Sequence, residues 1–141
     1  MSRIYWDTML FVYLLQDNQQ YSPRVHALLA RSRQRRDKLF TSYLALGEMM
    51  AGVEKRGSSQ GAQILRDALE EMGFSFLAYG SDAVTPFAKL RAKENLKAPD
   101  AIHLACAAAA GIDLFLTGDK QLTRLDVPGI QFIADFNSPI L

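Results

Sequence analysis

The 141-residue sequence has one cysteine, Cys106, two histidines and a single tryptophan. One thiol excludes an internal disulfide and a multi-cysteine zinc site, and it suits a reducing compartment. The two histidines, His26 and His103, are far apart in the chain and give a histidine-based metal site little support. A charge excess is also missing: 16 basic residues face 15 acidic ones, a net +1, so no global field draws the chain to nucleic acid or to a membrane. No apolar run near the start approaches the ~20 residues that crossing a bilayer needs. The longest there, Met9–Leu15, follows Asp7-Thr8 and precedes Gln16, Asp17 and Asn18, with no small-residue cleavage site. The expectation is a cytoplasmic protein whose mature form begins at Met1. No Gly-x-Gly-x-x-Gly follows the first strand, which disfavours a dinucleotide-binding dehydrogenase.

What remains is the composition of an ordinary globular protein, 49% hydrophobic and 22% charged. The length suits one domain over residues 1–141, with enough chain to bury a core unaided. Short β-prone runs alternate with helical patterns. Strands are expected at Arg3–Trp6, Leu39–Tyr43, Phe74–Tyr79, Leu114–Thr117 and Ile130–Ile133. Helices are expected over Thr8–Gln16, from a Ser22 cap with Pro23 in the first helical position, over Leu44–Lys55, Ser59–Met72 and Asp82–Asn95, and from Pro99 to Gly111. The alternation implies an α/β fold with a mostly parallel sheet covered on both faces. The strands are continuous apolar runs, as a sheet buried on both sides requires.

In open parallel sheets, ligands bind beyond the carboxyl ends of the strands. The acids expected there are unusual in their isolation. Asp7 is the only charged residue between Ile4 and Gln16, Glu48 between Leu39 and Val53, and Asp100 between Ala98 and Ile112. Asp119 follows the fourth strand in Thr117-Gly118-Asp119. Each has a bland alternative: Asp7 as a helix cap, Asp100 as a partner of the helix dipole, Asp119 as a turn residue. Glu48, set between Gly47 and Met49, has none. Lone carboxylates in core-bound elements are costly unless paired or metal-bound. Four that converge repel one another unless a cation intervenes. All-oxygen ligation suits Mg²⁺ or Mn²⁺ rather than zinc, and the natural chemistry is metal-assisted hydrolysis of a phosphodiester.

Asp7-Thr8 after the first strand, Glu48 on the helix after the second, Pro99-Asp100-Ala101-Ile102-His103-Leu104-Ala105, and Thr117-Gly118-Asp119 together resemble the PIN-domain nucleases. The pattern is most similar to the toxin ribonucleases of VapBC-type toxin–antitoxin pairs, and it extends over essentially the whole chain. The resemblance implies a three-layer α/β/α fold around a sheet of four to five strands. It implies a Mg²⁺- or Mn²⁺-dependent endoribonuclease, often a homodimer, neutralised by a small antitoxin. Carried onto this sequence, Asp7, Glu48, Asp100 and Asp119 are the catalytic and metal-binding acids, with Thr8 and Thr117 as supporting hydroxyls. Many relatives carry asparagine where this chain has Met9. A catalytically weak RNA- or protein-binding module on the same fold is the alternative. An aspartyl-phosphate phosphatase is disfavoured, because that chemistry needs an acid at position 9.

Secondary candidates carry two readings each. His103, one helical turn after Asp100, is either a substrate-phosphate contact or proton shuttle, or a packing residue. Lys120 is either a phosphate contact or a solvated surface lysine, and Arg91, Lys93 and Lys97 are expected to flank the same cleft. The stretch from Arg24 to Lys38 holds six basic residues and one acid. It is either a phosphate-binding patch or a solvated helix face whose charge suits the helix C-terminus. Cys106 and Ala107–Ala110 read as core, and Asp135 lies outside the proposed site.

Overall fold

The computed structural model describes residues 1–16, 18–57 and 60–141. Five strands, β1 (Arg3–Trp6), β2 (Lys38–Ser42), β3 (Phe74–Leu77), β4 (Leu114–Thr117) and β5 (Phe132–Asp135), form one sheet in the order β3-β2-β1-β4-β5. Every pairing is parallel. The helices are α1 (Thr8–Leu15), α2 (Ser22–Arg35), α3 (Tyr43–Lys55), α4 (Gly61–Glu71), α5 (Val84–Lys93) and α6 (Ala98–Ala109).

Strand alternation sorts the core into two layers. Ile4, Trp6, Leu39, Leu114 and Leu116 face one side and pack with α1, α2, α3 and α4. Tyr5, Phe40 and Phe115 face the other and pack with α5 and α6. The result is three layers, α/β/α, with both faces of the sheet buried. The alanines of α6 let that helix lie close: Ala101, Ala105 and Ala107 are fully buried. Its far end is met by a turn at Gly129, where φ is +100° and an added Cβ would stand 2.5 Å from the Ala108 carbonyl oxygen. Only glycine fits there.

Several boundaries differ from expectation, each for a local reason. β2 runs Lys38–Ser42 rather than Leu39–Tyr43, because Ser42 caps α3, its side chain accepting from the Ala45 N–H at 3.1 Å. α2 starts at Ser22 itself. The turn before it is held by Asn18, whose side-chain oxygen accepts from the N–H groups of Gln20 and Tyr21 at 3.0 Å each. β5 begins two residues late, at Phe132. Ile130 is buried against α6, and its N–H turns back to Val127 O. β3 is a shorter edge strand than expected, and α5 is preceded by a 3₁₀ turn at Ser81–Ala83. The expected start of α4 at Ser59 lies outside the described residues; its described bounds are Gly61–Glu71.

The strand order places the site. From β1 the chain winds outward through β2 to β3, then returns to β4 on the other side of β1. β1 and β4 are adjacent but wound in opposite directions, and a crevice opens at their carboxyl ends.

Candidate functional site

Asp7 leaves β1 at this crevice, its own N–H donating to Leu116 O of β4. It caps α1, with Oδ1 accepting from the Thr8 N–H at 2.7 Å, so the cap expected as its bland role is real. Its other oxygen, Oδ2, accepts from the buried Thr117 hydroxyl at 2.9 Å. Thr117 Oγ1 in turn accepts from the Asp119 N–H at 3.0 Å. One hydroxyl therefore ties the acid after β1 to the acid after β4. Asp119 Oδ1 also accepts from the Gln121 N–H at 2.9 Å, which makes Asp119 a turn residue as well as a cleft residue.

Asp7, Thr8, Glu48, Asp100, His103, Asp119 and Lys120 line one open cleft, together with Met9, Tyr13, Pro99 and Gly118. Thr117 lies beneath it. All four expected acids thus come from separate elements to one place: the end of β1, α3, α6 and the turn after β4. Asp135 ends β5 and caps its own turn through Asn137. Of the expected cationic rim, Lys120 lines the cleft and is exposed. Lys97 is near enough to act on Asp100. Arg91 instead donates to Leu96 O, and Lys93 lines a separate groove beside Asp126 and Val127.

The electrostatics follow the placement. The Asp100 carboxyl is pushed above its ordinary range, first by partial burial and then by the charges of Asp7 and Asp119. Glu48 moves the other way. Its Oε1 lies 3.1 Å from His103 Nε2 and accepts from the Thr8 hydroxyl at 3.0 Å, and these bonds hold its carboxyl below the usual range, the His103 bond foremost.

His103 lies among the acids of the cleft. It is only 3% exposed, on the floor of the cleft rather than on its rim. Nδ1 lies 2.7 Å from the Tyr5 hydroxyl and 3.4 Å from Ser42 Oγ; Nε2 lies 3.1 Å from Glu48 Oε1 and 3.7 Å from Asp7 Oδ1. The ring is thus engaged on both sides, behind the acids. Tyr5 was missed as part of this group. Its register partners, Phe40 and Phe115, are apolar, so a phenol at that position buries a hydroxyl that needs a partner.

The basic stretch also resolves into separate roles. Arg24 donates to the carbonyls of Phe136 at 3.0 Å and Ser138 at 2.6 Å, pinning the C-terminal tail. Arg35 pairs with Asp37 at 2.9 Å. Arg33, Arg36 and Lys38 line a shallow groove at the amino ends of β2 and β3, at the opposite edge of the sheet from the acids.

Donor chemistry fits a hard divalent cation: carboxylate oxygens, with hydroxyls behind them and no thiolate. Among the described residues, no three Asp, Glu, His or Cys side chains stand close enough to hold an ion as placed. Ligation therefore needs rotation of these partly exposed carboxylates, or water between them and the ion. No helix among the described residues is long and apolar enough to cross a membrane.

The model of the PIN domain family matches residues 4–128. Among solved structures, a chain of DNA-bound VapBC from Salmonella typhimurium is 17% identical, with a TM-score of 0.75 over 96% of this chain and 99% of that one. A chain of VapBC2 from Rickettsia felis, bound to a promoter DNA fragment, is 17% identical with a TM-score of 0.74, covering 94% and 98%. A chain of a toxin–antitoxin complex from Klebsiella pneumoniae is 22% identical with a TM-score of 0.66, covering 90% and 94%. At these identities the likeness is one of fold. No curated protein matches the chain.

Proposed function

Because the chain belongs to the PIN domain family, we propose that its carboxylate cleft is the active site of a metal-dependent endoribonuclease. Asp7, Glu48, Asp100 and Asp119 would hold Mg²⁺ or Mn²⁺. When bound, the ion supplies an acidified water and neutralises charge on the scissile phosphate. The chain's own residues do the rest. Thr117 and Thr8 fix the carboxylate oxygens of Asp7 and Glu48 by donating to them. Lys120 offers an exposed cation for a flanking phosphate. The carrying observation is that four acids, far apart in sequence and borne on four elements, meet in one cleft at the switch point between β1 and β4.

The biological role in this reading is the toxin of a toxin–antitoxin pair, acting as a homodimer in the cytoplasm. The support for the toxin role and the antitoxin partner is that the structural neighbours are toxin–antitoxin complexes. An apolar groove lined by Val12, Leu15, Met49, Val53 and Leu65 adjoins Glu48, and it would accept the apolar face of a small partner's helix.

The test uses purified protein, labelled RNA, and Mn²⁺ with or without EDTA. Cleavage should require the metal and disappear in Asp7→Asn and Asp100→Asn proteins that still fold. Cleavage by either variant at the wild-type rate, or cleavage indifferent to EDTA, overturns the assignment. A second reading, a module that binds RNA or protein without cutting, draws on Met9, an apolar side chain standing among the acids of the cleft. RNA retained but intact in the same assay supports that reading.

A further inference from the structure

Behind the acids, Tyr5 and His103 form an arrangement that neither metal ligation nor substrate contact explains. Tyr5 is 0% exposed and His103 3%. A buried hydroxyl has one proton to donate and needs an acceptor for it. The Ser42 and Thr41 hydroxyls also reach Tyr5, but Ser42 already accepts from the Ala45 N–H and Thr41 donates to Trp6 O. The His103 Nδ1, 2.7 Å from the Tyr5 oxygen, is the acceptor this geometry favours. A nitrogen that accepts carries no proton, so a neutral ring must carry its proton on Nε2. That nitrogen stands 3.1 Å from Glu48 Oε1 and 3.3 Å from Thr8 Oγ1. The Thr8 hydroxyl already gives its own proton to Glu48 Oε1, at 3.0 Å. Two donors therefore converge on one oxygen of Glu48, and among the described residues no donor reaches Oε2.

We propose that Tyr5 and His103 are an orienting pair for Glu48. Tyr5 sets the imidazole tautomer, and His103, so set, turns Glu48 to present its second oxygen to the cleft. The inference rests on the proposed metal-dependent reading of the cleft and deepens it by giving His103 a positioning role. Glu48 needs such help more than Asp7 or Asp119. Asp7 is locked by Thr8 N–H and Thr117, and Asp119 by its own turn. Glu48 is a longer side chain, 41% exposed, on a helix surface. Its rotamer freedom costs free energy to restrain, and partners that orient a ligating group typically change metal affinity by about 10- to 100-fold.

The experiment reads the tautomer and the ion separately. The chain has only two histidines, so ¹⁵N NMR of the ring nitrogens resolves His103 directly. The wild type should show Nε2–H with Nδ1 unprotonated. Tyr5→Phe, which keeps the ring and removes the hydroxyl, should let the proton distribute over both nitrogens. It should weaken Mn²⁺ binding, followed by calorimetry, by about 10-fold. His103→Ala should weaken it at least as much, and His103→Gln, which retains a donor and an acceptor, should recover most of the loss. A wild-type ring protonated on Nδ1 overturns the proposal whatever the activity, and so does unchanged Mn²⁺ affinity in folded Tyr5→Phe protein. Glu48→Gln separates the two layers of inference. If Glu48→Gln weakens Mn²⁺ binding and Tyr5→Phe does not, the orienting pair fails while the metal site stands. If Glu48→Gln binds Mn²⁺ as the wild type does, the metal-site reading itself fails.

Discussion

Thr117→Val probes the link between Asp7 and Asp119 with almost no change of shape. Thr117 is fully buried, and its hydroxyl both donates to Asp7 and accepts from the Asp119 N–H. Valine removes both bonds. A hydrogen bond to a charged group contributes about 1.5–3 kcal/mol and a neutral one about 0.5–1.5 kcal/mol. The new buried methyl returns about 0.8 kcal/mol, and water reaching the half-open cleft replaces part of the rest. The net cost is about 1–3 kcal/mol, which for a chain of this size lowers Tm by roughly 4–10 °C. Losing an orienting partner should also reduce RNA cleavage about 10- to 100-fold. Thr117→Ser is the control. It loses a methyl, and so some stability, but keeps the hydroxyl and should keep cleavage. Thermal melting in EDTA and an Mn²⁺-supported cleavage assay measure the two effects. A double-mutant cycle with Asp7→Ala isolates the bond. Strict additivity in that cycle, or a Thr117→Val protein that melts and cleaves like the wild type, refutes the reasoning.

Other expectations concern charge and backbone. Asp100 ionises less readily in the fold than in the unfolded chain, so its charge costs stability above its folded pKa. In EDTA at neutral pH, Asp100→Asn should therefore melt at or above the wild-type temperature. The difference should shrink as pH falls toward the ordinary aspartate pKa of about 4 and vanish about a unit below it, where the aspartate is neutral in both states; a marked fall at neutral pH would make Asp100 a structural acid. Gly129→Ala should cost at least about 2 kcal/mol, through positive-φ strain and collision with the Ala108 carbonyl. Wild-type melting of that variant would show the turn to be looser than described. Replacing Arg33, Arg36 and Lys38 together with Gln should leave RNA cleavage within about twofold, since they line the edge opposite the acids. A large loss would restore the phosphate-contact reading of the basic stretch.

The sequence alone determined the layer order. Local apolar runs and helix signals are read within a few residues, and β1 and β4 fall at the expected bounds. It also singled out Asp7, Glu48 and Asp100, because a lone carboxylate in an apolar element is an energetic anomaly visible without coordinates. Boundaries moved where a local turn or cap took the backbone groups, as Val127 O took the Ile130 N–H before β5 and Ser42 took the Ala45 N–H at the start of α3. Only the tertiary structure gave His103 its partners, because Tyr5, Thr8, Ser42 and Glu48 lie 55 to 98 residues away in sequence. It likewise split the basic run into a tail clamp, an ion pair and a remote groove. Periodicity reports which face of an element is buried. Hydrogen bonding between side chains depends on separations of a few ångströms across elements, which the packed chain alone creates.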